Sequence, residues 1–343
     1  MKIRKRTILF IFLFVIILFL LYLIASSFFF NTLTFKTFYQ FNRMSENEND
    51  FNIQYVLNDK NEIIYVYKDK EDVKINKILD NDVSPKTLFT FSLKEEEEIQ
   101  SFCQAGTYYY LFYQQNQSLI QMDLENKVYQ DYKNLPQGKL IINPFNDQLF
   151  LYDSNQLFSL HYANENYSLD LIYRFSLENV DIKNIEFLKQ NQFIMTTYEG
   201  FIYSVNLITN ETIKLNRLYQ EYVIENEKLY ATFYKDHKTL GILIYDGLEE
   251  ETFEINTVDY LKMVVKNDYL YLINNLEMNK VSLVRKKKQE KMIISKYQDM
   301  NYNLTNVMIV NEKLMYLPMM KTNWNYDTQK NEYEYYLYRY KIK

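Results

Sequence analysis

The chain has 343 residues, 48% of them hydrophobic, 17% aromatic and 24% charged, with a formal net charge of −5. That balance argues against a general nucleic-acid binder, and the single cysteine, Cys103, excludes an intrachain disulfide. With 5 Gly and 4 Pro it is neither collagen-like nor low-complexity, and its 34 Tyr and 24 Phe favour strands.

Residues 1–6 form a basic tail carrying Lys2, Arg4, Lys5 and Arg6. Ile8 to Phe30 follow without a charge. As a helix such a run is about 34 Å long, enough for a hydrocarbon core of about 30 Å. Residues 7–30 are therefore expected to form one transmembrane helix. The cations on its N-terminal side place the N-terminus in the cytoplasm and the rest outside, a single-pass protein of the cell membrane. A cleaved signal peptide is the competing reading, with Ala25-Ser26-Ser27 as a weak cleavage site. Its apolar region is ordinarily 7–15 residues, so the uncleaved anchor is preferred.

Beyond the anchor the chain repeats itself roughly every 40 residues. A turn such as Asn146-Asp147, Asn226-Glu227 or Asn267-Asp268 precedes an apolar strand, QLFLY, KLYATFY or YLYLI. A second turn and strand follow, then in most units a third, and one more strand precedes each turn. Asn and Asp tolerate turn conformations that Gly would otherwise supply, so few glycines suffice. Four strands of about 5–7 residues in each unit are the signature of a propeller blade. The expected fold is all-β, a seven-bladed β-propeller over residues 32–343, with six or eight blades as alternatives. The blades fall at 52–93, 99–135, 139–178, 182–218, 220–257, 260–298 and 306–343. The last has three evident strands, and Thr34 to Phe41, TFKTFYQF, is expected to supply its outer one, removing an exposed edge.

With strands lettered A to D from the channel outward, the A–B and C–D turns share one face, and the B–C turns and D-to-A crossings share the other. A closing D strand puts the anchor on the first face. The second then points away from the membrane, carrying 68–72, 94–98, 236–238, 298–305 and the insertion 321–331.

FIYSVNLITNETIKL (Phe201–Leu215), with Asn210 where Gly is usual, and SLIQMDLENKVYQDY (Ser118–Tyr132), with Asp123, carry a family likeness. In both, a strand ends in a polar residue, a turn follows and a strand returns. The chain resembles bacterial surface propellers of the quinoprotein-like (PQQ-like) repeat superfamily. The resemblance implies the fold. Quinone-contacting residues do not map onto it, and no cofactor is expected. The Trp-Asp, kelch and Asp-box repeat signatures do not fit, since there is one Trp and glycines are few.

No catalytic or metal residues are expected. The glycines are not spaced for a nucleophile elbow or a phosphate loop. His161 and His237 have no Cys partners for a zinc site, and Cys103 reads as a buried thiol. Three stretches remain. Glu95, Glu96, Glu97 and Glu98 form an acidic run, either a solvated crossing or a cation-attracting patch supported by Asp69, Glu71 and Asp72. Arg285 to Lys288 form a basic hairpin tip on the anchor's face. Lys321 to Asn331 lengthen one B–C hairpin and carry Asn323, Trp324, Asn325 and Tyr326, the candidate binding loop. The expected function is a non-catalytic binding or scaffolding module for an envelope protein, peptide or glycan. The alternative is a propeller hydrolase or lyase acting on an envelope polysaccharide, which needs two carboxylates about 5–10 Å apart.

Overall fold

The computed structural model describes residues 16–17, 34–45, 53–57, 62–69, 71–78, 85–94, 97–113, 117–153, 156–163, 166–175, 181–256, 258–274, 276–294, 302–304, 307–310 and 314–342. Of the expected anchor, only Ile16 and Ile17 are among them, both helical and exposed; the rest lies outside the described residues. Among the described residues no helix is long and apolar enough to cross a membrane.

The strands form seven antiparallel sheets, one per blade, which settles the blade count. Blades 1 to 6 are 54–92, 99–132, 139–174, 182–215, 221–256 and 262–293, each a four-stranded meander in sequence order. Blade 7 is assembled from both ends of the described chain. Its order from the outside is Thr34–Ser45, Lys330–Lys341, Leu314–Asn325 and an inner strand in two pieces, Tyr302–Leu304 and Met308–Val310. The outer strand runs antiparallel to its neighbour from Thr34 opposite Lys341 to Ser45 opposite Tyr333.

Burial follows position in the blade. Strand B of blade 4, Gln192–Thr197, is buried at every residue, whereas strand D, Glu211–Leu215, is exposed except at its last. A B strand is covered by a neighbouring blade on each face, so its apolar residues run continuously instead of alternating. The core accordingly lies between blades. Val66, Val73 and Ile75 of blade 1 meet Leu111, Ile120 and Met122 of blade 2, and corresponding clusters fill every seam round the ring. Ile63 and Tyr65 of blade 1 meet Tyr316, Met320 and Leu337 of blade 7, the smallest of these clusters among the described residues. Each fully buried aliphatic side chain stabilises by about 1.5–3 kcal/mol.

The inner strand of blade 7 differs from the sequence expectation. Tyr302–Leu304, assigned to a loop, pairs with 319–321, and Met308–Val310 pairs with 314–316. Pro318 lies opposite the break between them. A proline has no backbone N–H to give the ladder, so the inner partner is interrupted there.

The turns explain the scarcity of glycine. Asn226 and Glu227 have φ of 51° and 58°, Asn267 and Asp268 of 44° and 60°. Each pair is the whole two-residue connection between strands A and B. Two successive left-handed residues make the turn whose twist matches that of the strands. Glu227 is exposed. An L-residue there costs about 1–2 kcal/mol, while glycine loses about 0.5–1 kcal/mol more backbone entropy on folding. Glu227→Gly should therefore raise stability by about 0.5–1 kcal/mol in urea unfolding, and an unchanged midpoint would show that the turn is not strained.

Candidate functional site

The inner strands that border the channel read KLIIN, IKNIEFLK and EYVIE in blades 3, 4 and 5, apolar runs broken by polar residues. Those polar residues meet across blades. Lys139 Nζ donates to Asn184 Oδ1 at 2.5 Å, and Asn184 Nδ2 donates to Glu186 and, at 2.8 Å, to the Tyr222 hydroxyl oxygen. Tyr222 itself donates to Glu186 Oε1 at 2.8 Å. One chain of hydrogen bonds thus links three blades. Desolvation raises the Glu186 pKa from its ordinary 4.5 despite the Tyr222 hydrogen bond and the field of Lys139. The same desolvation lowers Lys139 and raises Tyr222. Further round, Lys262 lies 3.8 Å from Glu221 and Lys266 3.5 Å from Glu225. These carboxylates each have a cation or a hydrogen-bond donor from a neighbouring strand or blade. That arrangement ties blades together rather than leaving two acids to share a proton.

Blade 3 places Ser159, His161 and Asp170 together. Ser159 Oγ is 2.8 Å from His161 Nε2, and Asp170 Oδ2 is 3.4 Å from the same nitrogen. A nucleophilic triad needs the serine and the carboxylate on opposite ring nitrogens, so this set cannot relay a proton in that way. His237 is an exposed turn residue. Among the described residues no group of three or more His, Cys, Asp or Glu side chains is placed to hold a metal. Cys103 lies on the inner strand of blade 2 and lines a cleft of about 360 Å³ with Tyr55, Phe102, Pro144 and Asp147. Burial pushes its thiol up to about 12, so it stays protonated at neutral pH.

The face of B–C turns and D-to-A crossings carries two of the three remaining stretches. In blade 7 the segment 321–331 is a regular hairpin, with Asn323 opposite Glu332, Trp324 opposite Asn331 and Asn325 opposite Lys330. Met320 is the last buried residue of its strand, so the five residues 321–325 project by roughly 17 Å at about 3.4 Å each. The base is braced on both edges, by Tyr302 opposite Lys321 and Ser45 opposite Tyr333. At the tip, Asn325 Oδ1 accepts from the backbone N–H of Asp327 at 2.8 Å and of Thr328 at 3.2 Å, and its amide donates to Glu332. Trp324 is 51% and Tyr326 84% exposed. Trp324 shares a strand face with Tyr316 and Met320, which pack against blade 1, so it lies on the blade 1 side.

The acidic run follows blade 1 on the same face. Glu95 and Glu96 lie outside the described residues. Glu98 is exposed, whereas Glu97 is 3% exposed. Lys68, near the end of strand B of blade 1, donates through Nζ to the carbonyls of Lys94 at 2.5 Å and Glu97 at 2.6 Å. The crossing is therefore pinned to blade 1, with Glu71 and Asp72 exposed beside it. The hairpin and the acidic crossing flank blade 1 from opposite sides. The sequence reading missed the inter-blade relay, whose signal is the polar interruption of inner strands.

No protein-family model matches the sequence, and no curated protein matches it. Solved propellers do match. The Cps50 (Swd1) β-propeller domain of Myceliophteria thermophila aligns at TM-score 0.54 and 10% identity, over 85% of this chain and 98% of that one. BamB from Moraxella catarrhalis, a PQQ-like propeller, aligns at 0.51 and 11% identity, over 91% and 100%. The C-terminal WD40 domain of Sif2 aligns at 0.53 and 10% identity, over 91% and 97%. At such identities the likeness shows the propeller fold alone.

The relay gives a pH prediction. Because Glu186 binds its proton more tightly in the folded protein, its stabilising contribution is complete below the unfolded value near 4.5 and is lost as pH rises through the folded value. Glu186→Gln stays neutral throughout. Its stability relative to the wild type should rise with pH across that window in urea melts. A constant difference would show that Glu186 is not desolvated.

Proposed function

We propose that the chain is a single-pass membrane protein whose propeller lies outside the cytoplasmic membrane and serves as a non-catalytic binding or scaffolding module. Its partner is an envelope protein, peptide or glycan. The basic tail Lys2 to Arg6 and the uncharged run Ile8 to Phe30 support the location.

The observation that carries the binding reading is the projecting hairpin of blade 7. Ordering two strands beyond the last buried residue costs chain entropy, offset at the base where Tyr333 packs against the core between blades 7 and 1. The hairpin carries the only Trp of the chain and an exposed Tyr at its rigid tip. Aromatic side chains held exposed on a braced element are typical anchors for a partner, and their flat faces suit peptide side chains and sugar rings alike. Asn323 and Asn325 alongside supply amide donors and acceptors.

A topology reporter at the C-terminus should be active only outside the cytoplasm, and activity inside would overturn the location. For the hairpin, Trp324→Ala with Tyr326→Ala should reduce partner capture by cross-linking on intact cells at least about tenfold, or about 1.4 kcal/mol. Folding stability should stay within about 0.5 kcal/mol, as for exposed positions generally. An unaltered capture profile would remove the hairpin from the site.

A further inference from the structure

The opposite face shows a pattern repeated over three consecutive blades. In blade 4, Asn206 Oδ1 accepts from the N–H of Ile208 at 2.9 Å and of Thr209 at 3.2 Å. In blade 5, Asp246 Oδ1 accepts from Leu248 and Glu249, both at 2.9 Å. In blade 6, Ser282 Oγ accepts from Arg285 at 3.1 Å. Each side chain closes the C–D turn of its blade, and the second residue after it stands at the tip. Those tip residues are Ile208, Leu248 and Val284, exposed by 74%, 86% and 73%. The same turn in blade 2, closed by Asp123, presents Glu125. A polar residue is thus compatible with the geometry, and the aliphatic ones are not imposed by the turn.

The blade 5 turn is held from the neighbouring blade. Gln192 of blade 4 donates to the Gly247 carbonyl at 2.9 Å and to Ser204 Oγ at 2.9 Å. Gly247 has φ of +97°, and a Cβ there would lie 2.3 Å from Gln192 Oε1, so only glycine fits beneath Leu248.

The position of Thr34 relates this face to the apolar run that precedes it. Thr34 pairs with Lys341, and Lys341 with Leu314, the first residue of strand B, so Thr34 stands on the face of the A–B and C–D turns. It belongs to blade 7, next to blade 6 in the ring. Phe30, the last residue of the apolar run, is four positions earlier. Four residues reach at most about 14 Å. If the run spans a bilayer, the Thr34 end of this face lies within that distance of the lipid.

We propose that Ile208, Leu248 and Val284 are membrane-contacting tips that seat the propeller on the bilayer from which it is anchored. The inference rests on the anchored reading above. The exposed charges around the tips have both signs: Glu249, Glu250 and Glu251 in blade 5, and Arg285, Lys286 and Lys287 in blade 6, where Lys286 pairs with Glu251. The contact is therefore apolar insertion at the boundary of headgroups and acyl chains rather than attraction to anionic lipid.

The test uses the full chain with Cys103→Ser, reconstituted in phosphatidylcholine vesicles. Ile208→Cys, Leu248→Cys and Val284→Cys are labelled one at a time with an environment-sensitive fluorophore, and Tyr198→Cys, in a B–C turn, is the control. The tips should brighten at least twofold over the control and be quenched by lipid-borne nitroxide, with little change between low and high salt. Tip labels that behave like the control in a protein retained through alkaline carbonate wash would overturn the lipid contact while leaving the anchor intact. Release of the protein by that wash would overturn the anchor and the contact together. Shielded tips that escape the nitroxide would mark a protein neighbour and overturn the lipid assignment.

Discussion

The pairing of Thr34–Ser45 with Lys330–Lys341 is the constraint on which the rest of the structure depends. Six blades are continuous meanders; the seventh exists as a full sheet only because a strand from the other end of the described chain completes it. Blade 7 meets blade 1 at the smallest apolar cluster among the described residues, Ile63 and Tyr65 against Tyr316, Met320 and Leu337. A toroid of separate sheets has no central core, and its stability is the sum of its seams, so the weakest one limits the ring. Pairing of the outer strand removes an open edge at that point and ties the ends of the ring together.

The closure also sorts the two faces. The outer strand of blade 7 starts on the face of the A–B and C–D turns and ends, at Ser45, beside the base of the projecting hairpin. One strand therefore relates the aliphatic tips of blades 4 to 6 on one face to Trp324 and Tyr326 on the other. Between the faces, polar side chains hold neighbouring blades in a fixed relation. The Lys139–Asn184–Glu186–Tyr222 relay joins blades 3, 4 and 5, and Gln192 joins blade 4 to the Gly247 turn of blade 5. Desolvated groups in such positions add little net stability, but they penalise any displacement that leaves one of them unpaired. The hairpin and the tips are thereby presented by a ring whose blades resist sliding.

The blade count was legible because each unit repeats a turn before an apolar strand, and the left-handed φ of Asn226, Asn267 and Asp268 is the physical basis of that mark. Other features depend on partners distant in sequence. The direction of Glu97 follows from Lys68, which holds the carbonyls of its crossing, and one glutamate in a run of four carries no sign of that. The split inner strand of blade 7 had a local signal in Pro318, yet which side of the strand would lose its partner depends on register. The Glu186 relay needs three strands from three blades. Its only trace in the sequence is a polar residue where the inner-strand pattern is otherwise apolar. The aliphatic tips were equally hidden, since Ile208, Leu248 and Val284 occupy one equivalent position only once the turns are superposed.

Ring closure can be measured directly by the register of the pairing. In a Cys103→Ser background, Tyr39→Cys with Leu337→Cys places two thiols on directly opposed residues, as does Gln40→Cys with Tyr336→Cys. Tyr39→Cys with Tyr335→Cys is two residues out of register. Mild oxidation of the full chain should join at least one opposed pair into an intramolecular cross-link and leave the displaced pair free. Equal cross-linking of opposed and displaced pairs, or none in any, would contradict the closure, and with it the relation between the two faces.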